Sequence, residues 1–372
     1  MILCDNHDAD TGCVECQKES IYILALQISK IREALMKSIF VKKKLDIQVR
    51  EIPIPPVGPF DVLVKVKACG LCGTDVRTAM EAEEYEPFGH EVAGIVEQVG
   101  ASVHNVAPGD DVCIESGTFD RFSSLSRNGK VDVDMSGRSM FNSGVCTMGF
   151  AEYMVVPCET CVKFSSLSYA EAALIEPLGV AYDLVKVTGI TIGDDVIVYG
   201  LGPIGLFALR LARLSGARKI YGITRSGRDA RDRLALAWGA DAVIHSDKVN
   251  LSQYAYAKGG VEKMLMTATP DAMPGAMKLL NVGGVMGFIG IGTGDRQFAT
   301  FDMRHFHDNK LQIRASNAVP ALFFPACLDL CTSGMLDMSA MISHTLHMDT
   351  FKQDVQAYLN DHANALKAVM SL

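Results

Sequence analysis

The chain has 372 residues, of which 49% are hydrophobic and 21% charged, with a formal net charge of −8. This length exceeds what one hydrophobic core usually supports, so we expect two domains. The acidic balance and the lack of a basic patch in the sequence argue against nucleic acid as a partner. No secretory signal is visible and the early apolar run is too short to span a membrane, which predicts a cytoplasmic protein whose 11 cysteines stay reduced.

Residues 1–35 differ in composition from the rest of the chain. They contain a C-x-x-H pair and a C-x-x-C pair, formed by Cys4, His7, Cys13 and Cys16. Apolar residues then recur at helical spacing from Ile21 to Leu35. One interpretation is a small metal-binding knuckle joined to an amphipathic helix. The other is an N-terminal extension without ordered structure, placed ahead of a true start at Met36.

From Met36 onward the sequence predicts strands, because short runs such as SIFV, LDIQVREI and DVLVKVKACG alternate with turns rich in Pro and Gly. EVAGIVEQVG and DDVCI continue this pattern. At Thr191 it changes to strand and helix in alternation: DDVIVYG, PIGLFALRLARLSGA, KIYGIT, RDARDRLALAWGA and AVIH. GGVMGFIGIG adds a further buried strand. We therefore predict an α/β protein with a β-rich domain and a doubly wound parallel sheet.

A glycine motif lies between the first strand and the first helix of the second domain. In GLGPIG, Gly200 would make the tight turn, Gly202 would let backbone N–H groups approach a pyrophosphate, and Gly205 would allow close packing of helix and strand. Pro203 and Ile204 complete the turn. Because strand, motif, helix and second strand occur in this order, a nucleotide site is favoured over an ordinary glycine turn.

The end of the strand KIYGIT bears on the choice between NAD and NADP, since an acidic residue there would accept from the ribose hydroxyls of NAD. Counting back from Gly239 places that position at Ser226, after Thr224 and with Arg225 and Arg228 on either side. A hydroxyl and two guanidinium groups would hold a 2′-phosphate, which favours NADP over NAD. The alternative is that both arginines are solvated charges at a helix start.

The motifs CGLCGTD, GHE and IEPLGVA, together with GLGPIG, resemble those of the zinc-dependent medium-chain alcohol and polyol dehydrogenases, in particular the branch with sorbitol and threonine dehydrogenases. The resemblance runs from about Met36 to the C-terminus. It implies a GroES-like catalytic domain and a Rossmann domain. The implied divisions are an extension at 1–35, a first catalytic part at 36–178, a nucleotide-binding domain at 179–316 and a C-terminal catalytic part at 317–372.

The resemblance also implies a catalytic zinc held by Cys72, His90 and Glu176, with Glu91 as a close or exchangeable ligand. Catalytic zinc sites, that of alcohol dehydrogenase among them, keep three protein ligands and one open position. Asp75 would accept a hydrogen bond from the far nitrogen of His90 and fix its tautomer.

The implied reaction is the reversible oxidation of a secondary alcohol, such as a sugar, polyol or amino-alcohol, by hydride transfer to NAD(P). Thr74 would bond the alcohol oxygen and begin the proton path. Cys69 is expected to pack as a small hydrophobic residue, since the context of a redox C-x-x-C is missing. The family further implies a homodimer or homotetramer, formed through the edge of the nucleotide-binding sheet near GGVMGFIGIG.

Two stretches depart from the family pattern. Most relatives hold a second, structural zinc with four cysteines, whose positions here are occupied by Asp120, Ser123, Ser126 and Asp134. We therefore expect a single catalytic zinc and a lobe held by other contacts.

The second departure is Arg77, which stands where relatives often have a proton-relaying histidine. An arginine cannot accept a proton at working pH. The hypothesis is that the proton leaves through cofactor ribose and water, and that Arg77 recognises an anionic or polar substrate group.

Two other functions stay open from the sequence. One is a zinc-free NADPH reductase of enones or quinones with the same fold, although such relatives lack the Cys, His and Glu set. The other is a non-catalytic nucleotide-binding regulator, which the cysteine-rich extension and the missing histidine favour. Metal content and turnover would separate the three.

Overall fold

The computed structural model describes residues 35–141 and 147–372. The cysteine and histidine pairs between Cys4 and Cys16, and the helix expected after them, lie outside the described residues. Within the described ranges, no helix combines the length and the hydropathy needed to cross a membrane.

The first part of the chain is rich in short strands, as the alternating sequence predicts. The strands are β1 (Leu35–Lys42), β2 (Asp46–Pro53), β3 (Asp61–Gly70), β4 (Glu86–Pro87), β5 (Glu91–Val99), β6 (Asp111–Ile114), β7 (Tyr153–Pro157) and β8 (Cys161–Lys163). The helices are α1 (Gly73–Glu81), α2 (Ser124–Arg127), α3 (Tyr169–Ala173) and α4 (Ile175–Thr188). A small sheet has the order β2-β1-β4.

The second part is a parallel sheet with helices between its strands. The strands are β9 (Asp195–Tyr199), β10 (Lys219–Thr224), β11 (Ala242–His245), β12 (Val261–Met266), β13 (Leu280–Phe288) and β14 (Gln312–Ala315). The helices are α5 (Pro203–Leu214), α6 (Asp229–Ala237), α7 (Met273–Met277) and α8 (Met303–Asp308). The order β11-β10-β9-β12-β13-β14 is that of a doubly wound nucleotide-binding sheet, which confirms the predicted fold class.

The chain then returns to the β-rich domain. Its last elements are α9 (Phe324–Thr332), β15 (Ile342–Leu346), α10 (Phe351–Asn360) and β16 (Lys367–Ser371). They complete a larger sheet with the order β15-β16-β3-β5-β6-β8, in which β7 also pairs with β3. Because α4 runs across the predicted division at residue 178, the domain boundaries stay a prediction.

Helix α4 joins the two sheets. Leu178 and Leu184 on this helix are fully buried in one cluster with Ala93 from β5 and Val198 from β9. The helix ends at Gly189, whose φ of 68° is the left-handed conformation that glycine adopts without strain. The shared core fixes the cleft between the domains, and the first turn of α4 borders that cleft.

Candidate active site

A cavity of about 610 Å³ lies between the two domains. Cys72, Thr74 and His90 line it from the β-rich domain, and Gly202 and Thr267 line it from the nucleotide-binding sheet. Ligand sites of α/β proteins are commonly found in such clefts, at the carboxyl ends of the strands.

The first wall of this cavity is shaped by Asp75. Its carboxylate accepts from the backbone N–H of Cys72 at 2.8 Å and from that of Gly89 at 3.1 Å. These bonds tie the turn that begins α1 to the loop that carries His90. Gly89 has a φ of +95°, and a Cβ there would lie 2.5 Å from a ring carbon of Phe150. Only glycine fits this close turn.

Three candidate ligands meet beside Asp75. One atom each from Cys72, His90 and Glu91 lies within 4.8 Å of the other two. In the described part of the chain, these three residues form the group of His, Cys and acidic side chains close enough together to hold a metal ion. Asp75 Oδ1 is 3.4 Å from His90 Nδ1, too long for a good hydrogen bond. Burial lowers the pKa of His90, but the charges of Asp75 and Cys72 outweigh burial and raise this pKa well above its ordinary value. The surroundings therefore attract positive charge.

Glu91 is held by a residue that the sequence analysis missed. Its carboxylate pairs at 2.5 Å with the ammonium of Lys367 on β16, and both side chains are buried. The second oxygen, Oε2, has no hydrogen-bond partner among the described residues. It lies opposite Gly70, where a Cβ would come within 2.0 Å of it. The sequence feature that could have predicted this ion pair is the lysine inside the apolar run LKAVM, because a buried ammonium group needs a negatively charged partner.

Glu176 lines the same cavity from the first turn of α4, but it is not part of the 4.8 Å group. Burial raises the pKa of Glu176 to about 7. Thr74 and Arg77 also line the cavity, on one face of α1. Cys69 is fully buried, as expected of a packing residue, and burial raises the pKa of its thiol well above the ordinary value.

The donor set suits a zinc ion. A thiol, an imidazole and carboxylates are the side chains that bind Zn²⁺ in proteins. Glu91, a member of the same group, has a buried carboxylate oxygen, Oε2, without a hydrogen-bond partner among the described residues. The negative charges of Asp75 and Cys72 that raise the pKa of His90 would also attract a metal cation, which binds the neutral form of the imidazole.

The glycine turn of the second domain forms the facing wall. Gly200 has a φ of +105°, and a Cβ at Gly205 would lie 1.8 Å from the Gly200 carbonyl oxygen. Gly202 precedes α5, with Pro203 as its first residue, and no atom lies within 4 Å of the position of a Cβ there. The open space and the free N–H groups of the helix start suit the phosphates of a dinucleotide.

The adenosine side of this wall differs from the expectation in one respect. β10 ends at Thr224, two residues before the position that counting from Gly239 predicts. Ser226 donates from its backbone N–H and its hydroxyl to Asp247, at 2.8 and 2.5 Å. These bonds lower the pKa of Asp247 to about 2. No local sequence pattern pointed to this carboxylate, because Asp247 follows the neighbouring strand β11.

Neither arginine of this region forms an ion pair with Asp247 in the described part of the chain. Arg228 lies 3.1 Å from the ring nitrogen Nδ1 of His362, and Arg225 is exposed. The hydroxyl expected to meet a 2′-phosphate thus has a carboxylate partner, while Arg225 stays accessible.

The lobe that follows β6 is held by hydroxyl groups. Ser123, Ser126 and Ser136 all donate to the Asp134 carboxylate, the second of them at 2.5 Å. Asp120 accepts from a backbone N–H of its own turn. Ser123, Ser126 and Asp134, which the sequence predicts at three of the four cysteine positions of a structural zinc site, thus contact one another directly.

Two protein-family models match this chain, one in its first part and one in its second part. The model of the alcohol dehydrogenase GroES-like domain matches residues 58–166, and the model named zinc-binding dehydrogenase matches residues 203–333. L-idonate 5-dehydrogenase of Vitis vinifera is 28% identical over 351 residues, which cover 88% of this chain and 92% of that protein. L-threonine 3-dehydrogenase of Legionella pneumophila is 30% identical over 276 residues, 69% of this chain and 78% of that protein.

Among solved structures, one from Sinorhizobium meliloti 1021 is described as a zinc-binding dehydrogenase bound to NADP. It superposes with a TM-score of 0.78 and 26% identity, covering 91% of this chain and all of that chain.

Proposed function

Because the chain belongs to the zinc-dependent medium-chain alcohol and polyol dehydrogenases, we propose that it interconverts a secondary alcohol and its ketone in a zinc-dependent reaction with NADP(H). The family membership itself makes it an NAD(P)-linked alcohol or polyol dehydrogenase that acts on a small molecule. The relatives named for L-idonate and L-threonine support a sugar, polyol or amino-alcohol as the substrate.

The observation that carries this proposal is the shared cavity. Cys72 and His90 line it together with the glycine turn that begins at Gly200. In the proposal Cys72, His90 and Glu176 hold the ion, and Glu91 is a near or exchangeable ligand. A bound zinc ion supplies the Lewis acidity that lowers the pKa of an alcohol hydroxyl.

The residues of the chain supply the rest of the reaction. The Thr74 hydroxyl, on the cavity face of α1, would accept the proton of the substrate alcohol and release its own proton towards water and the ribose of a bound cofactor. Asp75 holds the His90 loop in place. The turn around Gly202 would hold the cofactor pyrophosphate, and a bound nicotinamide would supply the hydride acceptor in the cavity between the domains.

We further propose NADP as the favoured cofactor, bound by Arg225, Arg228 and the Thr224 to Ser226 segment. The NADP in the similar structure from Sinorhizobium meliloti supports this choice. Asp247 opposes it, since a carboxylate beside Ser226 would repel a 2′-phosphate. The assembly in this proposal is a cytoplasmic homodimer or homotetramer without nucleic acid or membrane partners. β13 is one strand inside the sheet, so the edge strand nearest to GGVMGFIGIG is β14.

Metal analysis tests the proposal. Cys72→Ser should hold one zinc fewer per chain than the wild type and lose alcohol-dependent reduction of NADP. Cys69→Ala is the matched control, because it removes a buried thiol from the same stretch and should keep the zinc. Because both proteins contain residues 1–34, any metal bound there contributes equally to the two zinc contents and cancels in their difference.

Each rival function predicts another result. Turnover of an enone or quinone that chelators leave unchanged would identify the zinc-free reductase. Cofactor binding without turnover on any alcohol would identify the regulator, and equal zinc contents in wild type and Cys72→Ser would exclude the proposed site.

A further inference from the structure

Arg77 is a positive charge in the cavity that no described residue neutralises. Its side chain is half-buried and lines the cavity together with Cys72 and Thr74. Within 35–141 and 147–372 its guanidinium makes no hydrogen bond or ion pair. Withdrawing such a group from water costs free energy that a charged ligand can return.

The other basic side chains of the cavity have partners. Lys367 pairs with Glu91 at 2.5 Å. Arg296 donates to Thr269 at 2.7 Å and lies 3.3 Å from an Asp271 oxygen. In the part of the chain that the structure describes, Arg77 is thus the cavity cation free to bind a ligand.

The position of Arg77 relative to the reacting group follows from helix geometry. Thr74 and Arg77 are three residues apart on α1 and therefore share a face. Cys72 directly precedes α1, so Arg77 lies about 7.5 Å further along the helix axis. A small molecule whose hydroxyl lies at Thr74 and the candidate ligands would extend towards this guanidinium.

We propose that Arg77 binds an anionic group on the same molecule as the reacting hydroxyl, so that the substrate is a hydroxy acid or a phosphorylated polyol. This inference rests on the proposed function. A guanidinium binds carboxylate and phosphate oxygens through two parallel hydrogen bonds, which also orients the ligand. The carboxylate at one end and the hydroxyl at the other would then fix the carbinol hydrogen relative to the nicotinamide.

Matched substrate pairs test this inference. D-Sorbitol is the neutral probe, D-gluconate supplies the carboxylate and D-sorbitol 6-phosphate supplies the phosphate. In Arg77→Leu, the ratio of kcat/KM for an anionic probe over sorbitol should fall about 10- to 100-fold, chiefly through KM. Arg77→Lys should recover part of this ratio, because lysine keeps the positive charge but cannot make two parallel hydrogen bonds to one anionic group. Arg304→Leu is the control, since it removes an equal charge from an exposed site on α8.

The anionic probe whose ratio falls identifies the substrate group. An unchanged ratio in Arg77→Leu would overturn the inference. Weaker NADP binding together with an unchanged ratio would also overturn it and assign Arg77 to the cofactor phosphates.

A binding measurement separates this inference from the proposed function. Calorimetric titration of gluconate and sorbitol 6-phosphate without cofactor needs no turnover. A Kd that rises about 10-fold or more in Arg77→Leu supports the inference even if no alcohol is oxidised. Equal Kd values in wild type, Arg77→Leu and Arg304→Leu would contradict it.

Discussion

Asp75 holds the candidate metal site together at the scale of single residues. Its buried carboxylate accepts from two backbone N–H groups, those of Cys72 and Gly89, and faces the ring of His90. An aspartate is needed because one carboxylate can accept several bonds and can also balance positive charge on the imidazole.

Asp75→Asn should therefore weaken zinc binding while leaving the fold in place. The amide keeps the shape of the side chain, but it loses the charge and one acceptor. We expect zinc affinity to fall about 10- to 100-fold, measured by competition with a chelator. Asp110→Asn is the control, because that half-buried carboxylate also accepts a backbone N–H but is not part of the cavity lining. Equal affinities in both variants would show that Asp75 does not support the site.

Asp247 is expected to oppose NADP binding through its charge. Asp247→Asn removes a negative charge next to Ser226, so the Kd for NADP relative to that for NAD should fall about 3- to 10-fold. Fluorescence titration of both cofactors measures the ratio. Asp308→Asn removes the same charge from α8 and should leave the ratio unaltered. A ratio that Asp247→Asn does not change would mean that the carboxylate lies too far from the ribose to matter.

At the scale of elements, the lobe around α2 shows how hydroxyl groups can organise a loop. Donors on Ser123, Ser126 and Ser136 favour the ionised carboxylate, which lowers the pKa of Asp134 below its ordinary range. A lowered folded-state pKa contributes stability above the unfolded pKa of about 3.9 and loses it as the pH falls further. The lobe should therefore loosen in acid and not in alkali.

Asp134→Ala should make this lobe sensitive to proteases at neutral pH. The three serines lose their common acceptor, so limited proteolysis should cut between β6 and β7 several-fold faster than in the wild type. Asp120→Ala, which removes a carboxylate that bonds only its own turn, serves as the comparison. The wild-type cleavage rate should be the same with and without chelator. A rate that rises with chelator would reveal a metal in the lobe.

The elements were predictable to different degrees. Runs such as those in β9 and β10 are buried on both faces, and their continuous apolar residues identify them directly. The strand predicted as KIYGIT is confirmed as β10, but Ser226, the ribose-binding position counted back from Gly239, lies two residues beyond its end, because that count fixes the length of α6 but not that of the turn before it. That turn includes Arg228, which is still non-helical.

The candidate site shows the same limit. Cys72, His90 and the glycine turn occur in short motifs, so local sequence locates them. The partner of Glu91 lies 276 residues away, and that of Ser226 lies 21 residues away. No local pattern links such residues, since only the packed sheets bring them together.

At the scale of the whole molecule, the free edge of the parallel sheet suits a second copy. The segment that leads from β13 to α8, shortly before the edge strand β14, leaves Val282, Ile291, Phe298 and Met303 largely exposed. An exposed strand edge beside apolar side chains favours pairing with another chain.

Phe298→Glu should therefore shift the protein towards monomer in sedimentation velocity, because burying the new charge at the interface would be costly. Ile192→Glu is the matched control, since Ile192 is 90% exposed and lies outside this stretch. Identical sedimentation of both variants and wild type would place the interface elsewhere.

The ion pair between Glu91 and Lys367 also constrains the order of folding. A ribosome must add 276 residues after the glutamate before its counter-charge exists. During that interval, burying the strand that begins at Glu91 would leave its carboxyl group without its ion-pair partner, which costs free energy. The reaction centre is therefore expected to mature late, after the nucleotide-binding sheet has emerged, however early its motifs appear in the chain.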